Sequence, residues 1–289
     1  MKESENERRI PKVLVSDPKK RLGRGVFSNR ALILMLLIFI LLVGVFLVLI
    51  LPSFYVKEIV ITGTKEVSNE QLISAMGLEM DDHLFSNISG GFIQVIGLRY
   101  GEIEDKLSAK FPYIESVEVR FALPSKVTVE VTERQKIAYI DLPDGYAVVD
   151  RKGTVVEMEP MTDHPDVPLM LGLPVNSARL GEKIVMDNQD GFDLCIVVFG
   201  AVIDADQSNV ADKDFQLMKC VRSVRYVDSK TIFLTVDLPE SARSIAVKIG
   251  GLKNLKDDMN WLRHALSTNA FDDMQGTLLD MAGTQYSLR

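Results

Sequence analysis

Residues 31–51 read ALILMLLIFILLVGVFLVLIL, an uninterrupted run of 21 uncharged residues of which 18 are Leu, Ile, Val or Phe. A helix of that length extends about 31 Å, which matches a hydrocarbon layer about 30 Å thick. At about −0.3 to −0.6 kcal/mol for each of those side chains, insertion is favoured by about 5–11 kcal/mol. No face of such a helix is polar, so it cannot lie on a soluble core like an ordinary amphipathic helix. A cleaved signal peptide has a shorter apolar stretch ending in small residues. This run ends Leu51-Pro52-Ser53-Phe54-Tyr55, which predicts a retained anchor and a single crossing.

The 289 residues carry 33 Lys and Arg against 40 Asp and Glu, a net charge of −7, and the distribution is lopsided. Residues 1–30 hold nine basic and four acidic side chains, so the excess acid lies after the anchor. Lys19, Lys20, Arg21, Arg24 and Arg30 flank the N-terminal side of the span, which places that side in the cytoplasm and the body outside. The tail has little apolar content, with Pro11 and Pro18, and is predicted to be disordered. An acidic body argues against nucleic acid as its partner, because phosphate binding requires a basic face.

After the anchor, the β-branched segment 55–62 runs into Gly63, as a strand runs into a turn. Ser68 followed by Gln71 is a capping box, Val67 and Leu72 form a staple, and Gly77 supplies the stop. Leu72, Ile73 and Met76 are the expected buried face. A second helix is predicted from Ile96, Tyr100, Ile103 and Leu107, ending before Pro112. Residues 81–91 read as loop. The period then changes to two. Val117, Val119 and Phe121, then Val127, Val129 and Val131, alternate with polar residues around a turn at Leu123-Pro124-Ser125. Strand, helix, helix, strand, strand fits two helices on one face of a three-stranded sheet.

The ordered motifs FYVKEIVITG, VSNEQL, DDHLF, FPYIESVEVR and LPSKVTVEVTER behind one anchor resemble the POTRA domain of the FtsQ/DivIB cell-division proteins. Further on, Ile137-Ala138, the stretch 146–153 and Pro168-Leu169-Met170-Leu171-Gly172 are similar to that family's next motifs. The resemblance implies an α+β protein with four parts. These are a tail (1–30), a transmembrane helix (31–51), a POTRA domain (52–135) and a second mixed sheet domain (136–289).

Read residue by residue, the second domain begins with strands at 139–142 and 146–149 around Pro143-Asp144-Gly145, with Val155-Val156 after the turn Lys152-Gly153. Residues 159–168, with three prolines, read as loop. The apolar run 192–203 is too short to span, which predicts a buried helix with a strand as the alternative. Strands are expected at 221–227, 232–236 and 245–249. A helix carries Leu252, Leu255, Met259, Leu262 and Leu266, with Trp261 beside the stripe. Segments 276–281 and 284–289, separated by Ala282-Gly283, read as closing strands.

A terminal strand at a sheet edge leaves main-chain groups open to another chain. The resemblance implies that this sheet binds small bitopic coiled-coil partners, FtsL and FtsB or DivIC, and through them reaches septal peptidoglycan synthesis. The candidate contact residues are Thr277, Leu279, Met281, Gln285 and Tyr286; for Leu279 and Met281, completing the core is an equal alternative.

Catalytic signatures are not found. Ser16-Asp17-Pro18-Lys19 fits S-x-x-K but lies in the tail, and S-D-N, K-T-G, G-x-S-x-G and G-x-x-x-x-G-K do not occur. His83, His164 and His264 are scattered, and Cys195 and Cys220 sit in apolar surroundings, which favours free thiols, with a disulfide between the two as the alternative. No cofactor, metal or small-molecule substrate is therefore expected. Three rivals remain, an anchored peptidoglycan-modifying enzyme, a polypeptide-transport component, which would need a long series of barrel strands, and a sensor whose tail transmits a signal inward, for which the tail holds no recognisable output domain.

Overall fold

The computed structural model describes residues 29–160, 166–208, 214–241, 243–272, 274–283 and 285–289. The expected disorder of the tail, apart from residues 29–30, and His164 fall outside them. The chain divides into two units, Met1–Pro52 and Ser53–Arg289. In the first, α1 runs from Asn29 to Ile50. Its described apolar side chains are exposed all round, a surface suited to lipid rather than to a protein core. Among the described residues it is the one helix long and apolar enough to cross a membrane.

The second unit opens with β1 (Glu58–Thr62), α2 (Asn69–Met76), α3 (Phe92–Ile96), α4 (Gly101–Lys110), β2 (Ile114–Ala122) and β3 (Lys126–Glu133). Its sheet order is β1-β3-β2. β1 runs parallel to β3, with Ile59 beside Val127, and β2 runs antiparallel to it, with Val119 beside Val129. The period of two has its expected result, since Val117, Val119, Val127, Val129 and Val131 are all buried. Gly63 has φ +88, and a Cβ there would lie 1.9 Å from the Val131 carbonyl oxygen, so the turn that ends β1 requires glycine.

The capping box of α2 is formed. Ser68 Oγ accepts from the Gln71 N–H at 3.3 Å, and Gln71 Oε1 accepts from the Ser68 N–H at 3.4 Å. Replacing Ser68 with alanine is expected to cost about 1 kcal/mol, read as a lower thermal midpoint. The buried face differs by one residue from expectation. It is Leu72, Ala75 and Met76, and Ile73 is turned to solvent.

The second helix is a larger correction. Ile96 ends the separate short helix α3, and α4 begins only at Gly101. Between them Leu98 takes φ +55, Arg99 bridges to Arg120, and the Tyr100 N–H donates to the Val119 carbonyl at 3.0 Å. Tyr100 also donates its hydroxyl to the Leu84 carbonyl and is fully buried. Pairing with the β2 edge thus replaces a helical turn that Gly97 and Gly101 would have weakened.

Glu104 lies on the buried face of α4 with Gly101 and Leu107. Its carboxylate accepts from Arg99 Nε and Nη2, both at 2.8 Å, from Gln94 Nε2 at 2.9 Å and from the Val119 N–H at 2.8 Å. One side chain therefore ties together α3, α4, β2 and the extended step at Arg99. Burial pushes this carboxyl upward, but the Arg99 guanidinium, the Val119 amide and Gln94 together outweigh that and hold it below the ordinary range.

The remaining elements are β4 (Ala138–Leu142), β5 (Gly145–Val149), β6 (Val155–Glu159), β7 (Leu169–Leu171), β8 (Val175–Ser177), β9 (Val185–Met186), α5 (Gln189–Ser208), α6 (Leu217–Cys220), β10 (Val221–Asp228), β11 (Thr231–Asp237), β12 (Ser244–Ile249), α7 (Leu255–Ser267), β13 (Leu278–Asp280) and β14 (Ser287–Leu288). Nine strands form one sheet in the order β14-β13-β12-β11-β10-β7-β4-β5-β6, and β8 pairs with β9. The three-residue β7, too short to show a period, sits in the middle and runs parallel to both β4 and β10. Where the two sheets adjoin, Arg134 Nη1 meets Asp150 at 2.7 Å while its Nε donates to the Pro112 carbonyl at 3.1 Å.

The run 192–203 is helical, within α5, and buries Phe192, Cys195, Val198, Phe199 and Val202 against the sheet. Each large apolar side chain contributes about 1.5–3 kcal/mol by leaving water. The last helix starts later than its pattern suggested, because Leu252 precedes it and is exposed. Cys195 and Cys220 are free thiols. Burial pushes the Cys195 thiol up to about 12, which leaves it unreactive.

Candidate partner-binding edge

The C-terminal edge is built by a strand–helix–strand unit. β12 leads into α7, and β13 returns parallel to β12 with Val247 beside Leu279. The chain then turns, and β14 runs back antiparallel to β13. Gly276 permits this closure, since a Cβ there would lie 2.4 Å from Leu288 Cγ. Arg289 and Leu278 exchange both main-chain bonds, at 2.9 and 3.1 Å. The neighbouring pair Leu279 and Leu288 is therefore the non-hydrogen-bonded one, and the Leu288 N–H and C=O point away from β13, at the open edge of the sheet.

The five residues singled out from the sequence divide between two roles. Leu279 and Met281 are 2% and 3% exposed and belong to the core under the sheet. Thr277 and Gln285 are exposed. Tyr286 is half-buried. Its hydroxyl donates to Asp258 Oδ1 at 2.6 Å, and its ring meets Trp261 edge-on with centroids 4.6 Å apart. That hydrogen bond, then burial, then the negative charges of Asp258 and Asp257 push the phenol up to about 12, so it stays a donor at neutral pH. Tyr286 and Gln285 stand just before β14 rather than in it, so the last strand is shorter than its sequence pattern suggested.

Sequence reading missed the cluster of Trp261, Tyr286 and Asp258. Asp258 reads naturally as a charge near a helix N-terminus, and no periodicity connects it with a residue 28 positions away. A cleft of 330 Å³ opens beside the cluster, lined in part by Lys253, Asp258, Met281 and Tyr286. A cleft of 510 Å³ lies elsewhere, between the β4–β5 turn and β8, with no histidine or cysteine in its lining. His83 packs edge-on against Tyr55, and His264 is exposed near the end of α7. Among the described residues no group of three or more His, Cys, Asp or Glu side chains is arranged to hold a metal ion.

A family model described as "POTRA domain, FtsQ-type" matches residues 54–134, the span of the three-stranded sheet and its helices. The chain is 28% identical over 139 residues to the cell division protein DivIB of Clostridium acetobutylicum, covering 48% of this chain and 51% of that protein. It is 21% identical over 228 residues to DivIB of Clostridium botulinum strain Loch Maree, covering 79% and 78%. It is 30% identical over 102 residues to the cell division protein FtsQ of Corynebacterium glutamicum, covering 35% and 40%. The chain thus spans about half the length of the first of these relatives and less of the last. With an apolar N-terminal helix, a POTRA fold of the FtsQ type over residues 54–134 and a larger mixed sheet in that order, the chain is similar to the FtsQ/DivIB cell-division proteins.

Proposed function

We propose that this chain is a non-enzymatic, bitopic scaffold of the division machinery. Its tail is cytoplasmic and its body extracytoplasmic, at the septum. The body binds small bitopic coiled-coil proteins of the FtsL and FtsB or DivIC kind by strand addition at β14, and through them helps place septal peptidoglycan synthesis. The observation that carries this reading is the terminal strand Ser287–Leu288 lying outermost in the nine-stranded sheet. An incoming strand would meet the outward main-chain groups of Leu288, with Gln285 and Thr277 exposed nearby. The basic residues before α1 and the acidic body after it support the orientation. Anchoring all partners in one membrane raises their effective concentration, so a short edge with few hydrogen bonds is sufficient.

Co-purification of the full chain with its coiled-coil partners tests this. Leu288→Pro removes the outward N–H donor, and the pair Thr277→Lys with Gln285→Lys changes exposed side chains without touching the core. Each is expected to weaken capture about tenfold, since a main-chain bond contributes about 0.5–1.5 kcal/mol and tenfold is about 1.4 kcal/mol. Full capture by both variants would remove β14 as the docking edge. Long undivided cells on depletion of the protein are the expected cellular outcome.

A further inference from the structure

The three most exposed large apolar side chains among the described residues of the body, Phe92, Ile93 and Ile96, stand together on α3, and Leu98 follows on the next turn. Phe92 is 80% exposed, Ile93 81%, Ile96 66% and Leu98 46%. No charged residue interrupts the segment 92–98. This is not a frayed helix, because its other side is pinned. Gln94 Oε1 accepts from the Gly91 N–H at 2.7 Å, Gln94 Nε2 donates to Glu104 at 2.9 Å, and the Gln94 carbonyl accepts from the Arg99 N–H at 2.9 Å. These polar bonds therefore hold an apolar face outward, and an exposed patch of this kind marks a contact surface.

Strand register places the patch at one end of the three-stranded sheet. Lys126, the partner of Ala122 at the β2–β3 hairpin end, stands beside Glu58, the first residue of β1. The hairpin tip, where Leu123 is 62% exposed, is thus the end at which the chain joins the sheet. Arg99 pairs antiparallel with Arg120, so Leu98 lies one step nearer that tip. Phe54, whose carbonyl accepts from the Leu84 N–H, follows Ile50, the last of α1, by only four residue steps. Four extended residues reach at most about 14 Å. A tether that short leaves this end of the sheet within reach of the head-group layer, which is about 5–8 Å deep on each side.

We propose that Phe92, Ile93, Ile96 and Leu98, with Leu123 at the neighbouring hairpin tip, are a lipid-contacting patch that rests in the interfacial region of the bilayer. The occupant follows from the tether: lipid is present at that distance whether or not any protein partner is bound. Apolar side chains on a short helix bury themselves at the boundary between head groups and acyl chains. The patch would restrict how the body swings on its anchor and so limit the directions in which the β14 edge faces. This rests on the retained-anchor reading, and the test separates the two.

The full chain is reconstituted in vesicles of phosphatidylethanolamine and phosphatidylglycerol whose acyl chains are brominated. Trp261 is the single tryptophan, so Phe92→Trp in a Trp261→Phe background carries one indole, and Leu180→Trp in the same background is the control. Leu180 is 54% exposed, and its neighbour Gly181 faces Pro112, which lies at the other end of β2. The Phe92 reporter is expected to be quenched at least twofold more than the control. Vesicle flotation reports the anchor independently. Flotation with equal quenching of both reporters overturns the patch, and loss of flotation overturns the anchor and with it the patch. Shielding of the Phe92 reporter that arises only on adding a second protein, or that rises with the density of this chain, assigns the surface to a protein and overturns the lipid reading.

Discussion

Replacing Glu104 with alanine is expected to destabilise the three-stranded sheet by about 3–5 kcal/mol, the usual cost of removing one partner from a buried ion pair. The Glu104 side chain is 4% exposed, and the partner Arg99 side chain 20%. The substitution leaves the Arg99 guanidinium without its two-pronged acceptor and the Val119 N–H without a partner inside the fold. It also frees Gln94, and with it α3. Amide exchange in α4 and β2 of the full chain in detergent should accelerate together, while exchange in α5 stays unchanged.

The same group gives an acid response. Its folded value is depressed, so its contribution is complete above the unfolded carboxylate value of about 4.3 and is lost as pH falls through the lower folded value. Glu104→Gln removes the titrating group, and the stability curve of that variant should be flatter below about pH 4.3. Parallel acid curves for the two proteins would show that this carboxylate does not govern acid stability.

The second large effect is expected at Arg263. This side chain of α7 is 4% exposed. Its Nε donates to Asp206 Oδ1 at 3.2 Å, near the end of α5, and its Nη2 donates to the Phe215 carbonyl at 2.7 Å. Asp206 also accepts from the Leu217 and Met218 N–H groups, at 2.7 and 3.0 Å, at the start of α6. The pair therefore holds three helices over one face of the larger sheet. Arg263→Leu keeps the volume of the stem but strands Asp206, for an expected loss of about 3–5 kcal/mol in denaturant unfolding. Arg263→Leu combined with Asp206→Asn should recover part of the loss, because no lone charge is left buried. Equal losses for the single and double variants would show that packing by the Arg263 stem, and not the ion pair, is what matters.

Much of this molecule was legible locally. The long apolar helix follows from composition alone. The capping box at Ser68, the hairpin of alternating valines and the helical run 192–203 each declare themselves within a few turns or one strand. Reading failed where partners are distant in sequence. Tyr100 has helical spacing but is drawn to Val119 and Leu84, and β7 has only three residues yet lies at the centre of a sheet. At the candidate edge, the identity of the closing segments was legible. The division between core residues and exposed ones was not, because in so short a strand a side chain's direction is set by register against β12 and by the pull of Asp258 and Trp261 on Tyr286.

By itself the sequence determined the long apolar helix and the periodicity of the amphipathic faces, since each depends on neighbours within a few residues. Only the tertiary structure decided which strand ends the sheet, which main-chain groups remain open there, and why α3 turns its apolar side outward. Those outcomes rest on pairings between residues far apart in the chain, such as Leu278 with Arg289 and Glu104 with Val119. Such contacts leave no repeating mark in the sequence, because their partners are chosen by geometry after the chain has folded back on itself.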